Sequence, residues 1–161
     1  MTNIIETAIN DPSCIGIIAD LFNNKRPTRT DVHDAYCMRN TNLVKLMIEL
    51  GAPLDEKLLI KAIKNEDLVI IDLVSKRVRI TKCVLKAAIK KGNSKVFIEL
   101  AKKSSVPIQE LSIKNAVKFG HVELINVLLK SGCKATKRDI KVAKKKKDGR
   151  MAEIIQYYIV R

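Results

Sequence analysis

Apolar and polar positions along this chain alternate with a helical period, in short clusters broken by turn residues. The clearest stretch is Ala116–Gly132, AVKFGHVELINVLLKSG. It predicts the end of one short helix, a turn at Gly120-His121, a second helix and a stop. Leu124, Ile125, Val127, Leu128 and Leu129 fall on one face of that second helix. Gly132 stands where a left-handed residue closes a helix. Ala35–Gly51, AYCMRNTNLVKLMIELG, follows the same frame.

The frame recurs along the whole chain. Ala8, Ala35, Ala62, Ala88, Ala116 and Ala143 are spaced by 26 to 28 residues. Three residues before each lies an apolar side chain: Ile5, Val32, Leu59, Leu85, Ile113 and Ile140. A second apolar block follows each alanine, from Ile17-Ile18 and Leu43-Val44 through to Ile154-Ile155. The spacing predicts six helix pairs. A small residue lets two helices approach, and a single pair buries too little to stand alone, so the pairs must stack. With 161 residues and 47% apolar side chains, there is ample chain for such a core. Scarce Gly and Pro, and no Trp, agree with an all-helical fold.

The quoted residues resemble the ankyrin-repeat family. GHVELINVLLKSG is similar to the second half of such a repeat, and NTNLVKLMIELGAPLD is similar with Asn40 at the His position. Thr30-Asp31-Val32-His33-Asp34-Ala35 is similar to the family's Thr-Pro-Leu-His-x-Ala opening. The usual repeat is about 33 residues and begins with a β-turn; here the period is about 27, and no repeat has the Pro. The resemblance therefore implies an all-α solenoid of six stacked helix-turn-helix repeats lacking most β-hairpin fingers. It implies one domain, 1–161, with repeats at approximately 1–27, 28–54, 55–80, 81–108, 109–135 and 136–161. Short Lys/Ile-rich arrays of this kind resemble those encoded by large DNA viruses.

Charge changes the picture. The net charge is +14. Residues 1–75 carry 8 Lys/Arg against 11 Asp/Glu, whereas residues 76–161 carry 23 against 6. A half with a net charge of +17 suggests an anionic partner. In the family, the residues two and three after the anchor alanine line the concave binding surface. Here they are Asn10-Asp11, Cys37-Met38, Lys64-Asn65, Lys90-Lys91, Lys118-Phe119 and Lys145-Lys146. Four residues earlier, on the same helical face, stand Lys86, Lys114 and Lys141. Stacking puts these lysines in two columns, with Phe119 as an aromatic among them. Like charges at i,i+4 cost a few tenths of a kcal/mol, so the columns are not expected to serve stability. A lysine-rich composition filling solvent-facing sites would give the same columns without function. The carboxylates Glu99, Glu123 and Glu153 fall outside them, on second helices. The run Lys144–Lys147 is the densest basic stretch and could contact phosphate, serve nuclear import or simply solvate a terminal repeat.

Catalysis finds little support. His33 and His121 sit at repeat positions that suit structural hydrogen bonding. Asp55-Glu56 and Glu66-Asp67 sit where helices begin. No phosphate loop, nucleophile elbow or metal-ligand spacing appears, so no cofactor or metal is expected. Cys14, Cys37, Cys83 and Cys133 are far apart and are expected to be reduced, partly buried thiols. The start MTNIIETAINDPSC lacks a basic leader, and no stretch reaches the about 20 apolar residues of a membrane span. The expectation is an intracellular protein, in host cytoplasm or nucleus if viral. It is a non-enzymatic module binding an acidic protein on Met38, Lys64, Lys86, Lys90, Lys91, Lys114, Lys118, Phe119, Lys141, Lys145 and Lys146. A nucleic-acid-binding or virion component using the basic half is the alternative. A third reading is a subunit of a larger assembly in which a neighbour covers Tyr157, Tyr158 and Ile159.

Overall fold

A computed structural model describes Asp20, residues 23–146 and residues 149–160. Most of the first predicted repeat, including Ile5, Ala8, Asn10, Asp11 and Cys14, lies outside the described residues, as does Lys147. The described chain is all-helical. Its helices are α1 (Arg29–Cys37), α2 (Thr41–Glu49), α3 (Glu56–Asn65), α4 (Leu68–Ser75), α5 (Lys82–Lys91) and α6 (Ser94–Lys103). A 3-10 turn at Ile108–Glu110 precedes α7 (Lys114–Phe119), α8 (Val122–Lys130), α9 (Lys137–Lys145) and α10 (Gly149–Val160). No strand occurs among the described residues. No helix among them is long and apolar enough to cross a membrane.

Four of the five described first helices begin at the same point of the frame, six residues before the anchor; α7 begins only two residues before Ala116 and has no side-chain cap. Seven residues before the anchor alanine stand Thr28, Asp55, Thr81 and Thr136. Each side chain accepts a hydrogen bond from a backbone N–H in the first turn, which would otherwise have no partner. Thr28 and Thr136 do this within full capping boxes, since Asp31 and Asp139 accept in return from the threonine N–H at 2.7 and 2.9 Å. Asp55 accepts from the Leu58 N–H at 2.9 Å. Thr30, the opening residue in the ankyrin resemblance, instead lies inside α1.

The described turns within the pairs are more regular. The fourth residue after the anchor is left-handed in every described case: Arg39, Glu66, Gly92 and Gly120 have φ of 58 to 89°. Next comes Asn40, Asp67, Asn93 or His121. The N–H of Asn40 bonds the Ala35 carbonyl, and that of His121 bonds the Ala116 carbonyl, at 3.1 and 2.9 Å. The anchor alanine thus gives close helix approach and the acceptor that closes its helix. The second helices α2 and α8 stop at Gly51 and Gly132 with the same doubled hydrogen bonding, to Met47 and Ile48 and to Leu128 and Leu129.

The five described anchors, Ala35, Ala62, Ala88, Ala116 and Ala143, are all buried, as are Val32, Leu59, Leu85, Ile113 and Ile140 before them. The chain divides into two compact units. In one, which takes the described residues to Ala62 and Val69–Val78, α1 packs on α2 around Val32, Tyr36, Leu43 and Met47. The Arg77 guanidinium there donates to the Ile48 carbonyl near the end of α2. The other unit takes Ile63–Leu68 and the chain from Arg79. In it α5 packs on α7 and α7 on α9, while α6 packs on α8 and α8 on α10. First helices and second helices therefore form two layers, with Leu85, Phe97, Leu100, Ile113, Leu124 and Leu128 buried among the apolar side chains of this unit. The last helix buries Met151, Ala152 and Ile155 and leaves Tyr157 exposed.

Candidate anion-binding face

All eleven candidate partner-binding residues are exposed. Met38 belongs to the first unit, and the ten others, Lys64 included, belong to the second. Lys86, Lys90 and Lys91 lie on α5, Lys114, Lys118 and Phe119 on α7, and Lys141 and Lys145 on α9, with Lys146 just after it. Because α5, α7 and α9 are neighbours in one layer, their charges accumulate along it.

Three of these residues meet directly. The Phe119 ring is 42% exposed, and the ammonium groups of Lys90 and Lys118 each lie 5.8 Å from its centroid. A cation near a ring face is attracted by the ring quadrupole. Lys146 reaches the same turn: its Nζ is 3.8 Å from where a side chain on Gly120 would begin. Lys91 is drawn elsewhere, into an ion pair with Glu66 at 3.7 Å. None of Lys64, Lys86, Lys90, Lys114, Lys118, Lys141, Lys145 and Lys146 makes an ion pair among the described residues.

The ring is held in place by a residue of the next turn. The His121 imidazole stacks on Phe119 with centroids 6.0 Å apart and planes 21° apart. Its Nε2–H donates to the Lys90 carbonyl at 3.1 Å. That carbonyl belongs to the last turn of α5, where helix acceptors lack partners. His121 lies so close over Gly92 that a Cβ there would fall 2.2 Å from its Nδ1. His121 thereby ties the α7–α8 turn to the end of α5 and orients Phe119 beside Lys90. A hydrogen-bonding role for His121 was expected; its part in setting Phe119 was not. The available signal was the aromatic–glycine–histidine order, Phe119-Gly120-His121, across a left-handed turn.

One expectation changes. Lys64, Lys90, Lys91, Lys118 and Lys145 lie in the last turns of their helices. A cation there interacts favourably with the helix dipole, by about 0.3–1 kcal/mol at an exposed site. The first column therefore does serve stability, offsetting its i,i+4 repulsion. Lys86, Lys114 and Lys141 have no such support, and Lys114 opens its helix at the positive end of the dipole. The acidic residues nearby are engaged elsewhere: Glu99 with Lys102 at 2.9 Å, Glu110 with Lys82 at 3.3 Å, and buried Asp139 in its cap.

The thiols also differ from expectation. Cys37 and Cys83 are exposed, because they stand at a helix end and in a first turn, away from the buried stripe. Cys133 is buried, donates to the Ile108 carbonyl at 3.0 Å, and is pushed up to about 11 by burial. Cys14 lies outside the described residues.

Other chemistry is sparse. His33 bonds Asp55 at 2.9 Å, where Asp55 already caps α3. An open cleft of 330 Å³ lies along α8 and α10, lined by Val122, Glu123, Asn126, Arg150 and Ile154. No group of three His, Cys, Asp or Glu among the described residues could hold a metal ion. No protein-family model matches this chain, and neither curated proteins nor solved structures yield a match.

Proposed function

We propose that this chain is a non-enzymatic binding module that takes an anionic macromolecule on the first-helix layer of its second unit. One observation carries the reading. Seven lysines on or beside α5, α7 and α9 (Lys86, Lys90, Lys114, Lys118, Lys141, Lys145 and Lys146) are exposed with no acidic partner among the described residues. Nearby carboxylates are spent on caps and on lysines elsewhere. The architecture in this reading is a continuous stack of six ankyrin-like helix pairs without fingers. Caps on four of the five described first helices, left-handed turns, and buried anchors at a spacing of 26 to 28 residues support it. Repeat stacks of that kind offer an extended surface suited to an acidic protein. Nucleic acid is the second reading, favoured by the exposed Phe119 between two ammonium groups.

A charge-matched pair of variants tests the module. Lys90→Glu/Lys118→Glu alters the face, while Lys95→Glu/Lys130→Glu makes the same charge change on exposed residues of α6 and α8. Binding to labelled polyglutamate and to labelled oligonucleotides is followed as salt is raised. The reading requires that the first variant lose affinity, and flatten the log–log salt slope, by much more than the second. Equal losses would mean that only net charge matters and would remove the site.

A further inference from the structure

The two readings of the basic face differ in what they do with Phe119. A generic anion needs the lysines alone. Here the lysines of two successive first helices converge on a single exposed ring, with both ammonium groups 5.8 Å from its centroid. A third, Lys146, reaches the adjacent glycine. The ring is not loose, because His121 stacks on it and is itself fixed to the Lys90 carbonyl. An exposed phenylalanine gains nothing from water, and this one is 42% exposed.

From this juxtaposition we infer that Phe119, flanked by Lys90 and Lys118, is a stacking platform for one base of a single-stranded nucleic acid whose adjoining phosphates the two lysines take. The inference rests on the anion-binding face proposed above and names its partner. Every base has a π-face, so an aromatic platform beside cations binds single strands with little sequence preference. A duplex keeps its bases stacked inside and can offer the ring nothing. An acidic peptide satisfies the lysines but has no obligatory ring to stack. Lys86, Lys114 and Lys141, one helical turn earlier on the same three helices, add a second row of charge, and Lys145 adds to the first row on α9.

The platform and the lysines leave separable signatures. Stacking is nearly independent of salt, whereas phosphate contacts release counterions and set the log–log slope. The chain contains no tryptophan, so Phe119→Trp places a single reporter at the platform. The probes are a labelled twelve-residue oligothymidylate, a hairpin duplex of equal charge, and polyglutamate.

Phe119→Leu should weaken oligothymidylate binding by roughly five- to hundredfold at every salt concentration, without changing the slope. It should leave duplex and polyglutamate binding unchanged. Phe119→Trp should retain single-strand affinity, and its fluorescence should be quenched by oligothymidylate but not by polyglutamate. Lys90→Glu/Lys118→Glu should reduce both affinity and slope. If Phe119→Leu binds oligothymidylate as tightly as the unaltered chain, or the tryptophan is not quenched on saturation, the platform is wrong. In that case a continued loss in the lysine variant keeps the face as a site for an acidic protein or a duplex. If the lysine variant also binds unchanged, the face itself fails.

Discussion

Ala35–Gly51 and Ala116–Gly132 are near copies laid on one frame, yet they present different surfaces. Both bury the anchor alanine, both close the first helix by hydrogen bonding to that alanine's carbonyl, and both end the second helix at a left-handed glycine. They part at the turn. In the first, Arg39 takes the left-handed position and Asn40 caps α2, accepting from the Leu43 N–H at 2.9 Å. In the second, Gly120 takes it, and His121 makes no side-chain cap but reaches the Lys90 carbonyl and stacks on Phe119. The exposed pair before the turn is Cys37-Met38 in one and Lys118-Phe119 in the other. The frame is set by what must be buried and closed. The surface is free to change, and in the second stretch the histidine organises it.

The largest effect should come from breaking what the two stretches share. Ala35→Leu and Ala116→Leu both push a side chain into a fully buried helix contact, and each should cost about 1–3 kcal/mol or more in urea unfolding. Similar losses at both sites would support the shared frame. A tolerated leucine at either would remove that anchor from it.

The next effect separates two glycines with nearly the same φ. Gly92→Ala meets the His121 ring, whereas Gly120→Ala meets only the flexible end of Lys146. Gly120→Ala should carry mainly the left-handed penalty, about 1–2 kcal/mol. Gly92→Ala should cost more, and part of the excess should vanish in a His121→Asn background. A double-mutant cycle reads that coupling, expected at about 0.5–3 kcal/mol for groups in contact.

A smaller effect of opposite sign should come from making the first turn like the second. Arg39 is a non-glycine residue at φ 59°, so Arg39→Gly relieves backbone strain at some cost in unfolded-state entropy. A net stabilisation of about 0.5–1 kcal/mol, seen as a raised Tm, is expected.

The smallest effect is a pH slope. Burial pushes the Asp55 carboxyl up, but the Leu58 N–H, His33 and Arg29 together hold it below its ordinary value. A carboxyl depressed by folding contributes stability that is present above its unfolded pKa and lost as pH falls through its folded one. Acidification below about pH 4 should therefore destabilise the chain, and Asp55→Asn, which keeps a capping oxygen, should flatten that slope.

Much of this fold could be read in the residues, for a physical reason. Burial of a small alanine, helix closure at Gly120 and Gly132, and the apolar stripe of α8 are local demands that only a few residue types meet. Long side chains were harder to place. Arg39 and Glu66 hold a glycine's conformation, and the turn makes no sequence signal when glycine is absent. The caps at Thr28, Asp55, Thr81 and Thr136 all stand seven residues before an anchor alanine, whereas the ankyrin resemblance points to Thr30 and the equivalent position before Ala116 is Gln109 with no cap. Tyr157 reads as part of an apolar block and stands exposed, since Met151, Ala152 and Ile155 already fill the inner face of α10. The lysine columns were visible as positions. Their convergence on Phe119 was not, because it depends on His121 bridging two helix pairs.

The most direct test of the binding face is a residue-by-residue map. The isotopically labelled chain is titrated with twelve-residue oligothymidylate at low salt, and backbone amide shifts are followed by NMR. The account predicts that the largest changes cluster at Lys90, Lys118–His121 and Lys145-Lys146, and that Cys37-Met38 stay still. Changes centred on α6, α8 and α10, or on the α1–α2 pair, would contradict it, as would no change at all.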